Sequence, residues 1–182
     1  MLHEIFNLKN GKNSVSEFCS YVRQGIPSAA FGVTGAFKSF LISCIDGKVL
    51  LVAKDGVAAS FYVKEITELS QKKVVYVPPK DETLVSGRAF SKDGVYERIS
   101  ALDKIFNSDV VIITAQTLIE ILPKNLKSIV LDAGETYDIA NIASQLIDLG
   151  YKRVDSAESK GTFAIRGDII DIFAINYDQP VR

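Results

Sequence analysis

The 182-residue sequence predicts an α/β fold: a parallel sheet with flanking helices, followed by part of a small α+β domain. Three observations carry this expectation. Short apolar runs alternate with helix-like segments from residue 14 to about residue 122, the pattern of parallel strands joined by crossover helices. A glycine-rich loop at 32–39 follows the first apolar run, at the strand end where such sheets place ligands. After about residue 126 the alternation stops, and one strongly periodic helix is followed by two adjacent strand-like runs.

Ser14 and Glu17 have capping-box spacing and predict a helix over 14–24, ended by Gly25-Ile26-Pro27. Ala29 to Val33 reads as a short buried strand leading into the loop, and 36–45 as the helix that follows it. Val49-Leu50-Leu51-Val52 reads as the second buried strand. Residues 55–69 are expected to be helical, with Val57, Phe61, Ile66 and Leu69 toward one side. Val74-Val75-Tyr76-Val77 makes a third strand, stopped by Pro78-Pro79, and the polar stretch from Lys80 to Lys92 reads as a loop. Asp93 is placed to cap a helix through Phe106, with Ile99, Leu102 and Phe106 as its apolar side. Val110-Val111-Ile112-Ile113 forms the fourth strand, and a short helix from Thr117 to Leu122 ends at Pro123. The domain boundary falls near residue 127, giving domains of 1–126 and 127–182. In the second, Ser128 to Leu131 reads as a strand, and Ile139, Ile142, Ala143, Leu146 and Ile147 make a helical stripe stopped by Gly150. Two strands are expected near 162–166 and 168–174.

Gly32-Val-Thr34-Gly35-Ala-Phe37-Lys38-Ser39 is a phosphate-binding loop with one residue changed. The working pattern is G-x-x-x-x-G-K-[ST], whose backbone N–H groups wrap the phosphates. Gly32, Lys38 and Ser39 match it, but Phe37 stands where glycine is needed. A benzyl group there fills the space a phosphate requires, so the loop is expected to be a relic without nucleotide chemistry.

Composition narrows the remaining classes. A hydrophobic content of 47% with 24% charged residues is that of a globular chain, and a formal net charge of −1 gives no global basic footprint for nucleic acid. Cys19 and Cys44 lie in apolar helical contexts without metal-ligand spacing and read as small buried hydrophobes. The single histidine, His3, leaves no zinc site and no His-based triad, so neither metal ligands nor catalytic residues are assigned. The N-terminus lacks a signal-peptide pattern and no apolar run reaches the roughly 18 residues of a membrane helix. A cytoplasmic location with reduced thiols and no membrane association is expected.

A second motif lies at Gly161-x-Phe163-x-x-Arg166-Gly167-Asp168-x-x-Asp171-x-Phe173. Alternation puts Phe163 and Ile165 on one strand face and Arg166 on the other, with Gly167 permitting a bulge or tight bend. Asp168 and Asp171, three apart on a strand, fall on opposite faces and read as turn or surface residues rather than an acid pair.

This stretch, with Pro78-Pro79-Lys80-Asp81-Glu82-Thr83 and the run from Arg98 to Leu122, resembles the UvrB-like module at the start of bacterial transcription-repair coupling factors (Mfd). The resemblance covers nearly the whole chain, and its specific part is Arg166 to Phe173. It implies a degenerate P-loop helicase-type domain followed by a UvrA-binding domain. The excision-repair protein UvrB shares the signature, but it carries an intact GVTGSGKT loop and a tyrosine-rich hairpin. Phe37, and only Tyr76 and Tyr96 between 76 and 96, favour the coupling factors.

By that resemblance, Arg166 and Arg182 match two arginines of the UvrA contact. The segment itself would be non-catalytic and without cofactor, while ATP and Mg serve later motor domains of a longer parent. That parent resembles an ATP-dependent DNA translocase that displaces stalled RNA polymerase from double-stranded DNA. The early end after the signature suggests a truncated piece with an incomplete second domain. A UvrB-type ATPase fragment and a DNA-binding module remain the alternatives.

Overall fold

A computed structural model describes residues 14–80, 92–123 and 125–182. Its described residues fall into two compact units: 14–80 with 104–120, and 92–103 with 121–123 and 125–182. The described segment 92–103 groups with the second unit.

The first unit begins with helix α1 (Ser14–Arg23). It closes as the sequence predicts: Gly25 takes φ +70°, the Gly25 N–H donates to Val22 and the Ile26 N–H to Tyr21. These paired bonds satisfy carbonyls that the helix end would otherwise leave unpartnered. Arg23 is ion-paired with Asp46 beyond helix α2 (Phe37–Ser43).

Strands β1 (Val49–Ala53), β2 (Val74–Val77) and β3 (Val110–Thr114) form a parallel sheet in the order β1-β3-β2. Val49 and Val74 both align with Val110, so Val110 to Ile113 of the central strand are paired on both sides. That position explains the apolar run Val110 to Ile113 of β3, which has no polar face to show. Helix α3 (Gly56–Leu69) starts at Asp55, whose carboxylate accepts the Ala58 N–H. It packs Ala59 and Ile66, with Tyr62 and Val63, on the sheet face made by Val49, Leu51, Ala53, Val110 and Ile112.

Three expectations about this unit are corrected. Ala29 to Val33 is not a strand, and Phe31 is 92% exposed. Two alanines and a glycine supply little β-propensity, and Gly32 at φ +71° departs from extended backbone. Val57 and Phe61 lie on the exposed side of α3, because the sheet takes the stripe through Ala59, Tyr62, Val63 and Ile66. The helix predicted over 117–122 is the single turn α5 (Ala115–Leu118), capped by Thr114.

Helix α4 (Lys92–Lys104) opens the described part of the second unit; the Asp93 side chain and residues 81–91 lie outside the described residues. A 3₁₀ turn (Ile105–Asn107) ends this helix early, leaving Phe106 exposed instead of on an apolar helix side. Helix α6 (Ile139–Asp148), capped by Asp138, buries Ile142 and Leu146 against Phe163. Gly150 stops it at φ +87° as expected, whereas Ser128 to Leu131 forms no strand.

A small mixed sheet follows, ordered β4-β5-β6: β4 (Lys152–Arg153), β5 (Thr162–Arg166) and β6 (Ile169–Phe173). β4 runs parallel to β5, and β5 pairs antiparallel with β6 through Ala164 opposite Asp171 and Arg166 opposite Ile169. Only Gly167 and Asp168 join β5 to β6. Gly167 at φ +62° in the first loop position, with no positive φ at Asp168, is the pattern of a II′ hairpin turn. Among the described residues no helix is long and apolar enough to cross a membrane.

Candidate partner-binding site

The β5-β6 hairpin sorts its side chains by the two-residue period of a strand. Phe163, Ile165, Ile170 and Ile172 turn toward α6, and Phe163 is fully buried there. Ala164, Arg166, Ile169 and Asp171 take the other face, as alternation assigns Arg166.

Asp171 is the centre of that second face. Arg182 Nε donates to its Oδ1 at 2.7 Å, and Arg182 Nη2 donates to its Oδ2 at 3.2 Å. Arg166 Nη2 stands 3.7 Å from the same Oδ2. The Arg166 contact is diagonal across the ladder, a separation a long side chain can span. The Asp171 side chain is 13% exposed, against 58% for Arg166 and 67% for Arg182. One largely buried carboxylate thus gathers two outward-facing guanidinium groups. The hydrogen bonding from Arg182 holds the Asp171 carboxyl below its ordinary value of 3.8; burial opposes this, and the charges of Arg182 and Arg166 add to it.

In the sequence, alternation assigns only the face of Arg166, Arg182 enters through the family resemblance, and Asp171 reads as a turn or surface residue. It is a buried strand residue with two cationic partners. Strand spacing alone assigns its face; the partner at Arg182 arises because Val181 returns to pair with Ile172 through two 2.8 Å backbone bonds. That bridge also fixes the segment carrying Arg182. Arg153, on β4, lines a shallow open depression with Val154, Asp155, Ile165 and Arg166. Its two-residue strand carries no apolar pattern, so nothing in the sequence singles it out.

The loop at 32–39 lies in the first unit, apart in sequence from this surface. Gly32 and Gly35 take φ +71° and +55°, and Thr34 and Lys38 are exposed. The Phe37 N–H donates to Thr34 O and the Lys38 N–H to Gly35 O, each at 3.3 Å. Two donors that a phosphate loop turns toward its ligand are therefore directed at the chain's own carbonyls. The Phe37 ring packs on Phe40, with centroids 5.7 Å apart. Ser39 is fully buried and its hydroxyl donates to the Glu65 carboxylate of α3. Cys19 and Cys44 are free and half-buried, and burial pushes both thiols above their ordinary value.

Comparison with known proteins joins this geometry to a family. Residues 129–182, which hold the hairpin, Asp171 and both arginines, match the UvrB interaction domain. Transcription-repair-coupling factor from Borreliella burgdorferi is 29% identical over 96% of this chain, and that from Bacillus subtilis 24% over 83%. UvrABC system protein B from Carboxydothermus hydrogenoformans is 25% identical over 93% of the chain. The chain spans 16% and 14% of those two coupling factors and 29% of that UvrB. Residues 129–182 thus match the UvrB interaction domain, and over most of its length the chain is similar, at modest identity, to transcription-repair-coupling factors and to UvrB.

Proposed function

We propose that this chain is a recruitment module that docks UvrA through the surface formed by Arg166 and Arg182. The observation that carries the reading is the convergence of Arg166 and Arg182 on Asp171 within the UvrB interaction domain. Arginine suits this task because its planar fork grips carboxylates in two-point contacts and is only weakly hydrated. Isolated surface arginines would be ordinary solvated charges; a pair held by one shared anion is a pre-arranged surface.

The segment acts without nucleotide chemistry in this reading. Supporting it are Phe37 in place of glycine, the inward-turned N–H groups at 37 and 38, and the occupied Ser39 hydroxyl. The same reading makes the chain a portion of a longer cytoplasmic protein. That protein would hydrolyse ATP with Mg in other domains, translocate on double-stranded DNA and displace stalled RNA polymerase. The 14–16% coverage of coupling factors is the support for a longer parent.

Immobilised chain titrated with purified UvrA tests the docking, and calorimetry with MgATP tests the loop. Saturable UvrA binding with no ATP heat is the expected pair of results. Micromolar ATP binding would favour a UvrB-type ATPase, and binding to a labelled duplex with steep salt dependence would favour a DNA-binding module.

A further inference from the structure

We infer that Asp171 is a positioning residue for docking: it holds Arg166 and Arg182 side by side so that a partner meets both guanidinium groups already ordered. The inference rests on the UvrA-docking reading and adds a residue that reading does not require. Two cations on one face repel each other, and each long side chain loses rotamer freedom when fixed by a partner. Asp171 offsets both effects. Its carboxylate takes two hydrogen bonds from Arg182 and stands 3.7 Å from Arg166 Nη2, while its own side chain is 13% exposed. It is therefore poorly placed to touch a partner itself.

The geometry also specifies the partner's chemistry. Arg182 uses the Nε–Nη2 edge toward Asp171, which leaves the Nη1–Nη2 end of the fork directed away from that carboxylate. Two guanidinium groups balanced by one carboxylate leave a net positive charge on the cluster. The complementary surface is a pair of carboxylates presented by a protein, each gripped end-on by one arginine.

The test is a double-mutant cycle on the full chain, with UvrA affinity measured by interferometry and folding checked by thermal melts. Four chains are compared: unsubstituted, Asp171→Asn, Arg166→Ala with Arg182→Ala, and all three substitutions together. Asp171→Asn is expected to weaken binding about tenfold in the unsubstituted background, as coupled neighbours do, and to have no further effect once both arginines are alanine. Equal weakening in both backgrounds, or none in the first, overturns the positioning role while leaving the arginines as contacts. Full affinity in the double-alanine chain instead overturns the docking reading and this inference with it. Should Asp171→Asn fail to fold, the unsubstituted chain still decides. Arg182 Nε–H is expected to exchange with solvent measurably more slowly than in free arginine, and exchange at the free rate overturns the clamp.

Discussion

Gly161→Ala is expected to destabilise the second unit by about 2–5 kcal/mol, as the sum of two separable effects. Gly161 sits at φ +77°, and a side chain there costs about 1–2 kcal/mol. A Cβ at this position would lie 2.4 Å from the Tyr96 hydroxyl oxygen and 2.8 Å from Cζ, well inside van der Waals contact. Displacing a half-buried ring from such an overlap costs a further ~1–3 kcal/mol. The position matters because Gly161 ties the three strands of the small sheet together. Its N–H donates to Phe173 O at 2.8 Å and its carbonyl accepts the Lys152 N–H at 2.9 Å. Denaturant melts of Gly161→Ala in the unsubstituted and Tyr96→Ala backgrounds separate the effects, with hydrogen exchange over 162–173 confirming that the loss is in this unit. Only the backbone cost of about 1–2 kcal/mol should remain when Tyr96 is alanine. Gly167, at φ +62° with open space within 4 Å of where a Cβ would stand, is the control: Gly167→Ala should cost about 1–2 kcal/mol in either background. An equal cost for Gly161→Ala with and without the Tyr96 ring would refute the steric argument.

Further expectations follow from the same contacts. Phe163→Ala removes the largest fully buried side chain among the described residues and should destabilise the second unit by about 3–5 kcal/mol, read by denaturant melts, with UvrA binding lost in proportion to the unfolded fraction. Asp171 has a lowered carboxyl value, so its contribution to stability is full above 3.8 and disappears as pH falls through the folded-state value. Acid melts should therefore show a steeper loss for the unsubstituted chain than for Asp171→Asn in that window, and parallel curves would remove the clamp. Phe37→Gly restores the loop pattern in sequence but leaves Ser39 buried against Glu65, so calorimetry should still show no micromolar ATP binding.

What the sequence reveals, and what it hides, divides along physical lines. The long apolar β3 and the stripe of α6 are legible because burial itself dictates their periodicity. Arg166 is legible too, since strand alternation fixes its face once Phe163 is assigned to the core. Ala29 to Val33 misleads because an apolar run becomes a strand only when a neighbour completes its ladder, and no residue in the run encodes that neighbour. Val57 and Phe61 mislead for a related reason: α3 has apolar residues on more than one side, and the sheet selects among them. β4 is invisible because two exposed polar residues are held by backbone pairing alone. The role of Asp171 depends on Arg182, eleven residues away, which the Val181 bridge carries back to the sheet. Local spacing cannot report such a return.

The central claim is that paired arginines dock this chain to UvrA. The most direct measurement is the dissociation constant for UvrA of the unsubstituted chain beside the chain bearing both Arg166→Ala and Arg182→Ala, each verified as folded. Arginine anchors at interfaces contribute on the order of 2 kcal/mol or more, so the account predicts at least ~30-fold weaker binding. An unchanged constant in a folded double variant would contradict it.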